Sequence, residues 1–377
     1  MMHRKLTIEN FKCFSNKESI SLGKITACLG CNSVGKSSVI QSLILLREIY
    51  EQSVLAKESE MMEVTIPLNG KYDLQLGDSE HIKSSKNRDD IMLAIDTVEC
   101  KLRSIEDNPL EMTCARMQNL KEVESSGGVF SDDFYYLNAE RLGPRNYQVI
   151  EPNGLKNCGV HGENTFHYYY KHGRDKVEEL RCLNDNEEQK IENVDKQVEY
   201  WLNYIIPGMT IKCDDLNNLR LSQLQFQQTA LDTGFLSPFN FGFGISYVLP
   251  IIVTGLTAKE GSMVLIENPE AHLHPLGQSR IGYFLARMAF AGVQIVVETH
   301  SEHVINGIRI SSLEQTVSPH DVAINFFSLK EDEDSVVHCV ERLGLNDQMD
   351  IQAWPDGFMD QEEKDLRRLR ELRMRSD

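Results

Sequence analysis

Positive charge is scarce in this chain. Thirty-nine Lys and Arg stand against 57 Asp and Glu, a formal net charge of -18 over 377 residues. A surface that is basic all over is excluded, so any contact with nucleic acid must be a local patch, because DNA affinity comes largely from Lys and Arg meeting phosphates. Long apolar runs are missing too. The most apolar stretch, Tyr247 to Ala258, is too short to span a bilayer and contains Pro250 and Gly255. Met1-Met2-His3-Arg4-Lys5 leads into an alternating pattern and not into an apolar signal segment. The expectation is a cytoplasmic protein with no membrane contact. No heptad run lasts beyond a couple of turns, which excludes a long coiled-coil arm. The nine cysteines are scattered and odd in number, the usage of reduced thiols. One C-x-x-C pair, Cys28 to Cys31, has no second pair to complete a zinc site. What remains, 41% hydrophobic and 25% charged, is ordinary globular composition. The length suits one large α/β domain or two smaller ones.

Against these absences stands one strong motif. Gly30-Cys31-Asn32-Ser33-Val34-Gly35-Lys36-Ser37 fits the phosphate-loop pattern G-x-x-x-x-G-K-[ST] without mismatch. Lys24 to Leu29 reads as a buried strand entering it, and Ser38 to Leu46 as the helix leaving it. That context separates the motif from a chance match in a Gly/Ser loop. Backbone N–H groups from Gly30 to Ser38, backed by the helix dipole, would converge on a polyanion such as a triphosphate. Lys36 would reach the β and γ phosphates of ATP, and Ser37 would put its hydroxyl on Mg²⁺.

The strand before the loop has company. Arg4 to Ile8 alternates, Glu9 to Phe14 follows, and Ser19 to Leu22 reads as a second short strand. The segment IENFKCF between these strands, followed by the phosphate loop, resembles the N-terminus of the ABC-type ATPase heads of SMC proteins, RecF and the overcoming-lysogenization-defect (OLD) family. In those heads the first small sheet covers the adenine side of the nucleotide. Met61 to Ile66, Lys71 to Leu76, Asp90 to Thr97 and Glu111 to Met117 read as further strands. By the resemblance, Gln75 sits where such heads carry a glutamine that contacts Mg²⁺. Tyr135 to Leu142 reads as a buried strand ending in a Gly143-Pro144 turn. Arg141 and Arg145 would face phosphates or a dimer partner, or hold the turn by salt bridges. Residues 150–218 are polar, with acidic clusters at Glu178-Glu179 and from Asn184 to Glu188. Asn193 to Ile206 is an amphipathic helix stopped by Pro207-Gly208. This span reads as a helical insertion between two lobes.

The second half supplies the rest of a nucleotide site. Asn240 to Ser246 precedes a helical apolar run, Tyr247 to Thr254. Met263 to Glu267 is an apolar run ending in an acid, the Walker B pattern, expected beside the phosphate-loop strand with its carboxylate aimed at Mg²⁺. Gly292 to Glu298 is another buried strand, ending in Thr299-His300-Ser301. FGFGIS (residues 241–246) resembles a divergent ABC signature loop, and IENPEAHLHP (266–275) with ETHS (298–301) resembles a subset of these ATPases shared with OLD proteins. The resemblance implies that Gly242, Gly244 and Ser246 bind the γ-phosphate of ATP held by a second subunit. It implies that Glu267 holds Mg²⁺ through water, that His300 senses the γ-phosphate, and that His272 and His274 lie in the D-loop at the dimer interface. Most heads place a second acid directly after the metal carboxylate, as general base. Here that residue is Asn268, so Glu270 is assigned the role, because general-base work needs an ionisable group near the water. Slow hydrolysis is the other reading of the same departure. An H-x-H pair (His272, His274) with His300 and His303 also has the look of a zinc cluster.

Ala323 to Leu329 and Ser335 to Arg342 read as a hairpin around the acidic turn Lys330 to Asp334, with no nuclease motif completing it. With Trp354-Pro355-Asp356-Gly357-Phe358, the whole resembles stand-alone prokaryotic ABC-type ATPases that end in a short domain of unknown function. Members of that group are often found in anti-phage loci beside a separate effector gene. The tail carries Lys364, Arg367, Arg368, Arg370, Arg373 and Arg375. It reads either as a local basic patch for nucleic acid or an acidic partner, or as a helix packing Leu366, Leu369 and Leu372 onto the head. The expectation is therefore an α/β, two-lobed ABC-type P-loop ATPase head with a helical insertion and no long coiled coil. Its parts run 1–149, 150–218, 219–318 and 319–377. It would use ATP and Mg²⁺, form a homodimer or higher oligomer, and gate an effector nuclease or toxin. A RecF-like DNA clamp and a low-turnover nucleotide sensor are the rival readings.

Overall fold

A computed structural model describes residues 4–84, 89–150, 156–183, 191–230, 234–332, 335–353, 355, 357–358 and 360–374. In chain order, the first part contains β1 (Arg4–Glu9), β2 (Glu18–Leu22), β3 (Ile25–Gly30), α1 (Lys36–Leu55), β4 (Glu63–Pro67), α2 (Ser79–Ile82), β5 (Ile91–Ile95), β6 (Val98–Ile105), β7 (Asn108–Ala115), α3 (Leu120–Ser125) and β8 (Phe134–Leu137). The middle contains β9 (Tyr147–Val149), α4 (Thr165–His172), α5 (Val194–Ile205), β10 (Met209–Leu216) and β11 (Leu221–Gln228). The last part contains α6 (Phe243–Thr257), β12 (Met263–Glu267), α7 (Pro275–Phe290), β13 (Gln294–Glu298), α8 (Glu302–Glu314), β14 (Val322–Asp332), β15 (Ser335–Leu343) and α9 (Gln361–Met374).

The central sheet has the order β15-β14-β3-β13-β12-β8, parallel except for the β14–β15 hairpin. β3, β8, β12 and β13 are apolar at nearly every position because both faces are covered. In β3, Ile25, Ala27 and Leu29 join a core with α4 to α8, while Cys28 joins the opposite core with α1 and the antiparallel sheet β2-β1-β5-β6-β7-β4. The same alternation splits β12, with Val264 and Ile266 on one side and Met263 and Leu265 on the other.

Several expectations change. Walker B strand β12 does not lie beside β3, because β13 runs between them, as the parallel registers of both pairs require. The C-terminal hairpin is not set apart: β14 pairs along β3 from Val322 against Ile25 to Phe327 against Gly30. The middle segment holds strands as well as helices, in the antiparallel sheet β10-β11-β9. Lys71 to Leu76 is no strand; Lys71–Asp73 is a single 3₁₀ turn, with Tyr72 and Asp73 at positive φ. α9 does not bury its leucines. Leu366, Leu369 and Leu372 are 47%, 49% and 44% exposed, so none of them is buried against the head. The acidic cluster from Asn184 to Glu188, Glu333, Asp334, Trp354, Asp356 and Arg375 lie outside the described residues.

Candidate nucleotide site

The site is built where β3, β13 and β12 end side by side. β3 runs into the phosphate loop, whose Gly30, Ser33 and Gly35 all take positive φ. Gly30 is obligatory for space as well, since a Cβ there would run into the Phe327 carbonyl of β14. Gly35 is covered by Cys13 and Phe14 from the IENFKCF segment, and Cys13 Sγ meets Ser38 Oγ at 4.0 Å. The Val34 carbonyl faces His338 Nδ1 of β15 at 3.1 Å. Lys36 is buried and its ammonium donates to the Cys31 carbonyl. Burial lowers its pKa, and the nearby Glu298 opposes that shift. Asn32, Ser33 and Ser37 are exposed at the loop's mouth.

Three carboxylates lie at this end of the sheet, and one of them touches the loop. Ser37 Oγ donates to Glu298 Oε1 at 3.0 Å. Glu298 ends β13, is only 6% exposed, and its Oε2 is buried without a hydrogen-bond partner. Burial first, then the neighbouring Glu267, pushes its pKa to about 7. Glu267, opposite Glu298 in the β12–β13 register, accepts from Tyr136 OH at 2.9 Å and from the Ala139 N–H at 3.4 Å. Burial also raises its pKa. Glu270 accepts from Thr299 Oγ1 at 2.7 Å and from the His300 N–H at 2.8 Å, which ties the turn after β12 to the turn after β13. His300 lies beside Gly30, and burial followed by the charge of Lys36 lowers its pKa. Lys36, Ser37, Glu267, Glu270 and His300 are thus brought together.

Asn268 takes φ 45°, a left-handed turn that asparagine tolerates. Its N–H donates to the Glu298 carbonyl at 2.8 Å, and its Oδ1 is buried without a partner. Arg141 directs its hydrogen bonds to backbone carbonyls, with Glu270 and Glu267 close enough to act on its charge. It is 2% exposed and donates to the carbonyls of Asn138, Glu267, Asn268 and Tyr247, pinning the end of β12 to α6. Burial draws its pKa down to about 10. Arg145 is exposed. Among the described residues Gln75 makes no hydrogen bond with Ser37 or Glu267; its amide donates to Asp73, which faces Asn138 and His161.

The signature segment begins α6, four residues earlier than the sequence pattern suggested. Gly242 precedes its first turn without a side-chain cap, and Ser246 is half-buried. Gly244 lies against the His272 carbonyl, and the rings of Phe243 and Tyr247 pack on His272 with centroids 5.4 and 4.6 Å apart. Among the described residues no hydrogen bond joins this segment to the phosphate loop of the same chain. The histidines do not gather. His274 caps α7 through the Leu276 N–H, and His303 lies on α8. Among the described residues no group of three or more His, Cys, Asp or Glu is placed to hold a metal by itself.

The fold has solved counterparts. A crystal structure of an SMC head bound to the C-terminal winged-helix domain of ScpA matches with TM-score 0.53 at 14% identity, covering 93% of this chain and 99% of that one. An SMC head domain with an extended coiled coil, bound to the C-terminal domain of ScpA from Pyrococcus furiosus, matches with TM-score 0.50 at 13% identity, covering 98% and 99%. The fold is that of an ABC-type ATPase head. Three sequence families match this head in turn. Residues 1–126 match a family described as "AAA ATPase domain". Residues 166–306 match one described as "AAA domain, putative AbiEii toxin, Type IV TA system". Residues 317–369 match one described as a protein of unknown function. Comparison with curated proteins gives no match. Among the described residues no helix of the head is long and apolar enough to cross a membrane.

Sequence reasoning assigned no role to Glu298, Tyr136 or the carbonyl contacts of Arg141. For Glu298 a signal existed: an acid closing a buried apolar strand, the same signal read for Glu267.

Proposed function

We propose that this head binds and hydrolyses ATP with Mg²⁺, closes around the nucleotide as a homodimer or higher oligomer in the cytoplasm, and passes that closure to an effector nuclease or toxin in defence against phage. The observation that carries the reading is the convergence of Lys36, Ser37, Glu267 and Glu298 at the ends of neighbouring parallel strands, with Glu270 and His300 on the adjoining turns. The donor set fits Mg²⁺, which is commonly held by one or two carboxylates with hydroxyl, water and phosphate oxygens. The unpartnered Glu298 oxygen is a group such a cation would satisfy. Ser37 would hold the cation directly and Glu267 through water. When bound, Mg²⁺ supplies positive charge against the terminal phosphates.

The chain's own groups do the rest. Lys36 leaves the Cys31 carbonyl for the β and γ phosphates, and the loop N–H groups around Asn32, Ser33, Val34, Gly35 and Ser38 cradle them. Glu270 takes the proton of the attacking water, and His300 contacts the γ-phosphate. A second copy contributes Gly242, Gly244 and Ser246, with His272 and His274 at the contact. The effector part rests on the toxin-system family matched over residues 166–306 and on the SMC heads solved with another protein bound. The exposed arginines Arg367, Arg368, Arg370 and Arg373 of α9 favour a DNA clamp as the second reading.

Steady-state ATP turnover by the purified chain, with and without duplex DNA, tests this. Turnover that is lost in Lys36→Ala and Glu270→Gln and is indifferent to DNA supports the effector reading. Stimulation by DNA that weakens steeply with salt favours the clamp. ATP binding without turnover removes Glu270 as base and leaves a nucleotide-held switch.

A further inference from the structure

The reading above gives the cation to Ser37 and, through water, to Glu267. The contacts of the three acids distribute that work differently. Both oxygens of Glu267 accept hydrogen bonds, from Tyr136 and Ala139. Both oxygens of Glu270 are likewise engaged, by Thr299 and His300. Glu298 is the acid that touches Ser37, and its second oxygen has no partner although it is buried. A buried polar atom without a partner is costly, so it needs an explanation.

Strand order provides one. β13 lies between β3 and β12, so Glu298 stands between the start of α1, which carries Ser37, and Glu267. Two carboxylates in register on neighbouring strands repel each other. Lys36 is the cation beside Glu298, and it is assigned to phosphate, while the Arg141 guanidinium acts on Glu267. A divalent cation at Ser37 would satisfy the free oxygen and offset the like charge together.

We infer that Glu298 is a protein ligand of the divalent cation, acting with Ser37 while Glu267 supports it from the next strand. The acidic charge of the site is thus divided between neighbouring strands, Glu267 on β12 and Glu298 on β13. This inference rests on the ATP-binding reading and deepens it.

Mn²⁺ is the probe, because its free aqueous form gives an EPR signal that disappears on binding. The full chain is titrated with Mn²⁺ in the presence of adenylyl imidodiphosphate, which is not turned over, and nucleotide affinity is measured separately in EDTA. Glu298→Gln keeps an acceptor for Ser37 but removes the charge. It should raise the Mn²⁺ concentration at half-saturation by about 10- to 100-fold, the range for disturbed metal-site residues. Its nucleotide affinity in EDTA should be unchanged or tighter. Glu298→Asp, which keeps the charge on a shorter side chain, should fall between the two, and it decides the matter if the Gln variant does not fold. An unchanged Mn²⁺ midpoint in Glu298→Gln, with a shifted one in Glu267→Gln, overturns the inference and leaves ATP binding standing. Absence of nucleotide binding by the unaltered chain, with or without Mn²⁺, overturns the ATP-binding reading itself.

Discussion

Glu298 and Glu267 have a consequence for stability that is independent of catalysis. Glu298 has an ordinary pKa of 4.5 that burial and Glu267 push to about 7 in the folded chain. Between those values the folded state holds a proton that the unfolded state has released. Stability therefore falls as pH rises across that window, by roughly 1–3 kcal/mol from this group. In EDTA, Glu298→Gln should melt close to the unaltered chain below pH 4.5, and increasingly above it as pH approaches 7. Differential scanning calorimetry across pH reads this directly; a melting difference that does not vary with pH contradicts it. The same pair shows what a sequence discloses at this scale. Lys36 and Ser37 were legible because their spacing along one loop is their spacing in space. Glu298 was not, since its importance depends on which strand lies next to β3. Arg141 was legible as important and not as to role, because its partners are four backbone carbonyls that no residue identity encodes.

Among the elements, α7 and α8 depend most on small residues. A Cβ at Gly307 would run into the Ser279 carbonyl, and one at Gly282 into the Val304 carbonyl, so the two helices approach at backbone distance. Gly307→Ala should force them apart and cost about 1–3 kcal/mol, seen as a lower urea midpoint with an unchanged slope. An unaltered midpoint would mean that the helices repack freely. The strands of the central sheet were readable as apolar runs between turns, and α5 as an amphipathic helix. β6 was missed although Val98 to Ile105 alternates buried and exposed residues, the period of a half-buried strand. α9 was misjudged as well. Leucines at 366, 369 and 372 mark a helix face but not whether the head covers it.

At the level of the whole molecule, Phe243, Gly244 and Tyr247 lie against His272 and not on the phosphate loop of their own chain, which suits the proposal of a site completed by a second copy. With ATP and Mg²⁺, Glu270→Gln should accumulate as a dimer on size-exclusion chromatography with light scattering, while Lys36→Ala should remain monomeric. A monomer in both cases argues against closure around nucleotide. The sequence disclosed the order of motifs, and hence the ABC-type head, but not that its parts interleave. β3 comes from the first thirty residues, while its two neighbours β13 and β14 begin at Gln294 and Val322. That interleaving has a consequence in time. As the chain leaves the ribosome, the strand that carries the phosphate loop is made early and its flanking strands nearly last. A nascent chain stopped before Val322 leaves that apolar strand with an open edge, the kind of surface that pairs with other chains.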